Sequence, residues 1–165
     1  MNLPPYLIFP ETTEDEITLR QIEPGDLQDI LEISYYDAIQ ATTVTQAAAM
    51  QAKIHENYSS GNSIHWGIAS RATNKIVGTC GFYRGFDNAA GELGCVLLPQ
   101  HQGKGYMTRA MTLAIHFGFT TIGLERIWAE TDTDNRSAIK LLERLNFIKT
   151  GQPTNNNVVY ELVKR

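Results

Sequence analysis

Cysteine is scarce in this chain, with Cys80 and Cys95 the only two. They do not form a C-x-x-C pair, and each lies in a strand-like run. Reduced, buried thiols are therefore expected rather than a disulfide framework, and the two become neighbours if their runs form a hairpin. None of the four histidines, His55, His65, His101 and His116, stands at metal-ligand spacing from another histidine, cysteine or acid, so no metal site is expected. Positive charge is also short: 14 Lys+Arg against 18 Asp+Glu give a net charge of -4. A non-specific grip on nucleic acid needs a basic face, so nucleic acid is not expected as a partner. An acidic surface favours a cationic one, such as an amine. No apolar stretch approaches the roughly 20 residues of a membrane span, and no membrane partner is expected. Met1 to Pro10 has neither a basic residue nor a long apolar core, so a signal peptide is not expected and a cytoplasmic location is.

What is present suits one domain. Of 165 residues, 42% are hydrophobic and 19% charged, enough for a full core. Residues 1–15 are polar and proline-bearing and read as an N-terminal arm, leaving 16–165 as the domain. Ile17 to Ile22 alternates like a strand, and Glu23-Pro24-Gly25-Asp26 punctuates it. Helical spacing covers Leu27 to Ile39. A second helix covers Gln46 to Tyr58, where Ala47, Met50, Ile54 and Tyr58 share a face. Ile64 to Ser70 and Ile76 to Tyr83 read as a hairpin around Thr73-Asn74. Gly91 to Leu98 is a third strand, ending at Pro99.

A long helix from about Lys104 to Thr121 follows, and then a strand from Leu124 to Glu130. The helix opened by Asp134-Asn135 buries Ala138, Leu141, Leu142 and Leu145, and Asn146 suits the left-handed residue that stops it. Phe147 to Thr150 and Val158 to Val163 read as a last antiparallel pair around the polar loop Gly151 to Asn157. The order β-α-α-β-β-β-α-β-α-β-β predicts an α/β (α+β) domain with a mixed sheet. Its middle β-α-β unit needs a right-handed crossover and parallel strands.

The most informative stretch is Leu97-Leu98-Pro99-Gln100-His101-Gln102-Gly103-Lys104-Gly105-Tyr106. A strand ends, a Gly-x-Gly turn follows, and a helix begins. Glycines let the backbone approach a phosphate, and the free N–H groups of the first helical turn point at it. A Walker loop needs G-x-x-x-x-G-K-[ST], but Leu98 stands where its first glycine belongs and Gly105 follows Lys104. A dinucleotide fingerprint needs a third glycine where Thr108 stands.

Gln100-His101-Gln102-Gly103-Lys104-Gly105 matches Q/R-x-x-G-x-G/A, and two further motifs keep it company. Asn135-Arg136-Ser137-Ala138, followed by Leu145-Asn146-Phe147, resembles an N-x-x-[SA] helix and a terminal "GF" signature with asparagine for glycine. Gly91-Glu92-Leu93-Gly94-Cys95-Val96-Leu97 resembles a glutamate-bearing strand. Together they resemble the GNAT superfamily of N-acetyltransferases over about Glu16 to Val163. Pro99-x-x-x-Gly103-Lys104-Gly105-Tyr106-Met107-Thr108 resembles its RimJ/RimL-type branch, which acetylates ribosomal-protein N-termini. Arg109-Ala110 stands where that branch carries an acid and alanine.

The resemblance implies an acetyl-CoA-dependent transfer of an acetyl group to a primary amine. The amine belongs to a small molecule or a protein N-terminus, and the enzyme is a monomer or homodimer. It implies a splayed central parallel pair. Val96, Leu97 and Leu98 then pair through their backbones with the pantetheine arm, while Gln102, Gly103, Lys104, Gly105, Tyr106, Met107 and Thr108 hold the pyrophosphate. Glu92 is the candidate general base, or else the ion-pair partner of an arginine such as Arg84. Asn135 reaches the cofactor, caps its helix, or does both. Ser137 is the candidate thiolate donor, because Leu142 occupies the position where many relatives place a tyrosine. Tyr106 and Tyr83 are alternatives, as is a water. Tyr35, Tyr36 and Tyr83 are expected at the acceptor, with Trp66 and Phe82 as further wall residues and the loop Gly151 to Asn157 at its border. A CoA-binding module of the same fold without turnover is the alternative reading.

Overall fold

Alternation along Ile64–Ser70 and Ile76–Tyr83 sets the centre of the molecule. In each strand the even-numbered residues Ile64, Trp66, Ile68, Cys80 and Phe82 enter one core, and their neighbours face the other side of the sheet. The computed structural model describes residues 1–165. Its strands are β1 (Thr12–Glu14), β2 (Ile17–Arg20), β3 (Tyr35–Tyr36), β4 (Ile39–Gln40), β5 (Ile64–Ser70), β6 (Ile76–Tyr83), β7 (Ala90–Leu97), β8 (Arg126–Asp132), β9 (Ile148–Thr154) and β10 (Asn157–Val163). Its α-helices are α1 (Val44–Ser59), α2 (Tyr106–Phe117) and α3 (Arg136–Arg144). Eight strands form one sheet in the order β1-β2-β5-β6-β7-β8-β10-β9. Only β7 and β8 run parallel, joined by the expected crossover through α2. The sequence-derived α/β class with a mixed sheet therefore holds.

Two cores flank the sheet. The larger gathers Ile64, Trp66 and Ile68 of β5 and Val77, Cys80 and Phe82 of β6 with Ala110, Met111 and Ala114 of α2 and Leu141 and Leu142 of α3. A register shift after Ile68 breaks the alternation, so Val77 joins this core and Ile76 the other. The smaller holds Leu27, Ile30, Ile33, Ala47, Ala69 and Ile76 beneath a 3-10 helix and α1. Residues 2–10 lie against the rest of the chain, and Thr12–Glu14 of the expected arm pairs with β2 as an edge strand of the sheet. Trp66 Nε1 donates to Pro10 O at 2.9 Å, Tyr6 N donates to Tyr58 Oη at 2.9 Å, and Asn2 N donates to Ile122 O at 2.8 Å.

Two segments differ from the sequence expectation. The helix expected over Leu27 to Ile39 is a 3-10 helix over Pro24–Ile33, irregular at Ile30, followed by the β3–β4 hairpin. Its buried residues Leu27, Ile30 and Ile33 recur every third residue, which is the period of a 3-10 helix rather than an α-helix. Asp37 and Ala38, with φ of 50° and 62°, make the hairpin turn. The polar loop expected over Gly151 to Asn157 is mostly strand: Thr154 pairs with Asn157. Only Asn155 and Asn156 turn, at φ of 51° and 63°, a conformation asparagine tolerates well. Asn146 stops α3 with φ 66°, as its place in the sequence suggested. Cys80 and Cys95 sit directly opposite each other on β6 and β7, and both are free.

Candidate functional site

The Gly-x-Gly turn forms as its residue types require. Gly103 and Gly105 adopt φ of 74° and 80°, left-handed values that would strain any side-chain-bearing residue. Gly105 is the N-cap of α2 and no side chain caps the helix. The first intrahelical bond runs from Arg109 N to Gly105 O at 3.2 Å. The amides of the first turn therefore point out of the helix without a side-chain partner, the arrangement that receives an anion. Lys104 is exposed beside them. Arg109 folds back over the loop, with Nη1 3.4 Å from Lys104 O and Nη2 3.6 Å from Glu16 Oε2.

The strand leading into this turn opens away from its parallel neighbour. β7 pairs with β8 only at Ala90–Arg126, Gly91–Ile127 and Glu92–Trp128. Beyond Glu92 the two strands diverge, although β7 stays paired to β6 and β8 to β10. One backbone edge of β7 thus faces a widening notch that leads to the N-terminus of α2. Leu97 and Leu98 bury their side chains in the two cores, but Leu98 N donates to Val77 O and Leu98 O accepts from His101 N, both at 2.9 Å, so the unpaired edge ends at Leu97. The exposed Val96 side chain borders a cleft on the other face of the sheet.

On the opposite face of the sheet from α2 lies a cleft of about 800 Å³ between the 3-10 helix, β3, α1 and strands β5–β7. It brings together Glu92, Tyr83, Tyr35 and Tyr36, four of the residues singled out from sequence. Glu92 and Tyr83 are cross-strand partners. The Glu92 side chain is 12% exposed, and Oε2 stands 3.3 Å from Arg84 Nη1. That is within ion-pair range but is not aligned as a hydrogen bond, so Oε2 is a buried acceptor without a donor. Burial raises the Glu92 pKa, the Arg84 guanidinium opposes this, and Glu130 adds to it. Burial also holds the Tyr83 hydroxyl well above the ordinary tyrosine value, so the phenol keeps its proton. Gly94 makes room for the Tyr83 ring: a β-carbon there would stand 2.8 Å from Cε2.

Other candidates lie elsewhere. Asn135 caps α3, its Oδ1 accepting from Ala138 N at 3.1 Å. Ser137 is exposed on a separate groove with Lys140, Glu143 and Arg144, and does not border the Glu92 cleft. Trp66 and Phe82 are not cleft walls: both are fully buried in the larger core. Each is one residue away from a cleft residue, His65 and Tyr83, and adjacent strand residues face opposite sides. His65 is the residue that sequence reasoning missed. It borders the cleft, its Nδ1 is buried without a partner, and burial pushes its pKa down to about 4.

Comparison with known proteins bears on the family and the fold. A family model described as "Acetyltransferase (GNAT) domain" matches residues 16–148. The chain is 30% identical to the uncharacterized N-acetyltransferase YoaA of Bacillus subtilis, covering 87% of this chain and 86% of that protein. It is 24% identical to a spermidine N(1)-acetyltransferase of Vibrio cholerae, covering 91% of each. Among solved structures, a ribosomal-protein-S5-alanine acetyltransferase from Vibrio fischeri superposes with a TM-score of 0.78. The identity is 20%, over 93% of this chain and 96% of that one.

Proposed function

The chain belongs to the acetyltransferase (GNAT) domain family and is an N-acetyltransferase, and we propose that it moves an acetyl group from acetyl-CoA to a primary amine bound in the Glu92 cleft. The observation that carries this reading is the position of Glu92. It is a largely buried carboxylate of raised pKa, with Oε2 in an ion pair to Arg84 but accepting no hydrogen bond, at the last paired position of β7 and β8. From there the notch opens on one side and the cleft lies on the other. The residues fit coenzyme A. The uncapped amides of Gly105, Tyr106, Met107 and Thr108 would take its pyrophosphate, with Gln102, Gly103 and Lys104 completing the loop. The free edge of β7, which ends at Leu97, would pair with its amide-bearing arm, and Leu98, whose N–H and C=O are already bonded within the chain, would border it. When bound, acetyl-CoA supplies an activated acyl thioester whose leaving group is a thiolate.

The chain's own residues supply the rest. An amine arrives as an ammonium ion and must lose a proton before it attacks. Glu92 accepts that proton, directly or through one water, and its raised pKa suits it to this work better than an ordinary carboxylate. Tyr83 holds its proton too tightly to deliver it to a thiolate, but its hydroxyl remains a hydrogen-bond donor in the cleft. Ser137 lies on another surface and Asn135 is engaged as a cap. We therefore give Asn135 the task of fixing the start of α3 beside the cofactor notch, and we leave protonation of the thiolate to water.

The acceptor is read from the walls. Tyr35, Tyr36 and Tyr83 supply aromatic surface, and Asp37, Asp87 and Glu92 outnumber Arg84 in charge. Such a lining favours an amine that is cationic in solution. A polyamine and a protein N-terminus both meet that description, in line with the relatives' names and the RimJ/RimL-type motif. The test is thiol release from acetyl-CoA with spermidine, trialanine and propylamine as acceptors. Glu92→Gln is expected to lower kcat by roughly 10²–10⁴ while acetyl-CoA affinity, measured by calorimetry, stays within about twofold. Unchanged kcat in that variant would remove Glu92 as the base. Tight acetyl-CoA binding with no release for any acceptor would favour a binding module.

A further inference from the structure

We infer that His65 is a specificity-determining residue of the acceptor cleft, hydrogen-bonding a second N–H group of an amine whose reacting nitrogen lies at Glu92. The inference rests on the acetyl-transfer reading of the same cleft. It starts from a concentration of unsatisfied groups. Five buried side-chain polar atoms in the molecule have no hydrogen-bond partner, and three of them, Ser63 Oγ, His65 Nδ1 and Glu92 Oε2, belong to residues that line this one cleft. Buried polar atoms in folded proteins are almost always paired. Glu92 Oε2 keeps the Arg84 ion pair, so Ser63 Oγ and His65 Nδ1 are the polar atoms of this cleft that no protein group pairs with.

The sheet leaves His65 room to act. His65 on β5 stands opposite Gly81 on β6, which stands opposite Gly94 on β7. In that row only His65 has a side chain, so its ring overhangs bare backbone. Gly81 cannot carry a β-carbon without meeting the Ile64 carbonyl. The Tyr83 ring covers Gly94, and its centroid lies 5.7 Å from that of His65. The cleft floor therefore reads His65, Tyr83, Glu92 across three strands. At ordinary strand spacing, β5 and β7 lie about 10 Å apart. An amine whose reacting nitrogen reaches Glu92 passes over Tyr83 and brings a group several bonds away to the imidazole.

The charge state fits such a ligand. Burial keeps the imidazole neutral at physiological pH, so it retains a lone pair that accepts from an N–H. A protonated ring would repel a cationic amine.

The test compares acceptors with and without a second N–H. Spermidine and trialanine have one; propylamine does not. His65→Phe is expected to raise KM for spermidine or trialanine about tenfold, with KM for propylamine and for acetyl-CoA unchanged. His65→Asn, which keeps a hydrogen-bonding group near Nδ1, is expected to recover part of the loss. An equal rise for all three amines would mean that the ring serves packing only and would overturn the inference. A second readout does not need turnover. The imidazole 15N signals of His65 are expected to move on adding spermidine or trialanine and to stay in place with propylamine. No movement with either of the first two overturns the inference, whether or not acetyl is transferred. Movement without thiol release from any amine would instead remove the acetyl-transfer reading and leave His65 as a ligand-binding residue.

Discussion

At the scale of single residues, the Glu92–Arg84 pair sets how the proposed reaction responds to pH. Burial raises the Glu92 pKa, Arg84 lowers it, and Glu130 raises it further, with a net upward shift. A general base works deprotonated, so the acid limb of kcat/KM is expected above the ordinary glutamate value of about 4.3. Removing Arg84 removes the opposing contribution. Arg84→Gln should therefore move that limb to higher pH, so that activity at mildly acidic pH falls while activity well above the limb is kept. The shift is expected to be small and to shrink with added salt, because the Arg84 side chain is 70% exposed and its charge is screened. A limb that stays in place or moves down in the pH profile would show that Glu92 is not the titrating base. Reading such residues from sequence meets a limit of parity. Trp66 and Phe82 have the composition of an aromatic cleft wall, and His65 stands in the sequence as one of four scattered histidines. Strand alternation shows that neighbours part company, but which face meets the cleft is set by where the 3-10 helix and α1 pack, a tertiary fact.

At the scale of elements, the unit from β7 through α2 to β8 was the most legible. Its strand, two glycines and amphipathic helix are local signals that agree with one another. Gly105 is the joint that makes the unit work: it holds φ 80° and caps α2 without a side chain. Gly105→Ala forces a side-chain-bearing residue into the left-handed region at a cost of about 1 kcal/mol. It also places a β-carbon 2.6 Å from Arg109 Nη1, the far end of a flexible side chain that can move aside. The expected result is a lower melting temperature together with an acetyl-CoA KM raised roughly tenfold, one power of ten being about 1.4 kcal/mol. KM for the amine should be unaffected. A raised amine KM with normal acetyl-CoA binding would put the loop in the wrong site. The segment from Leu27 to Gln40 was far less legible. Leu27, Ile30 and Ile33 repeat at three, a spacing that an α-helical reading absorbs too readily. Ala38 at φ 62° gives no compositional sign of the turn it makes. Yet this segment carries Tyr35 and Tyr36 to the proposed acceptor cleft, so the part proposed to govern substrate choice is the part that local sequence specifies least.

At the scale of the whole molecule, the proposed site joins elements distant in sequence: a loop before α2, the diverging β7 and β8, and a cleft roofed by the N-terminal third. A ligand bridging the loop and the notch holds these together only in the folded state, so it must raise the free energy of unfolding by mass action. At 100 times its dissociation constant, a ligand adds about 2.7 kcal/mol. For a chain of this size each kcal/mol moves the melting temperature by about 2–4 °C, so acetyl-CoA at that concentration is expected to raise it by about 5–10 °C. S-acetylpantetheine offers the same thioester and amide arm without the pyrophosphate. At equal concentration it should give a much smaller shift, because the first-turn amides of α2 and Lys104 gain no anion. Gly105→Ala should narrow the gap between the two ligands. Equal shifts from acetyl-CoA and S-acetylpantetheine would mean that the Gly103–Lys104–Gly105 turn does not hold the phosphates. No shift from either would mean that the notch between β7 and β8 is not the thioester channel.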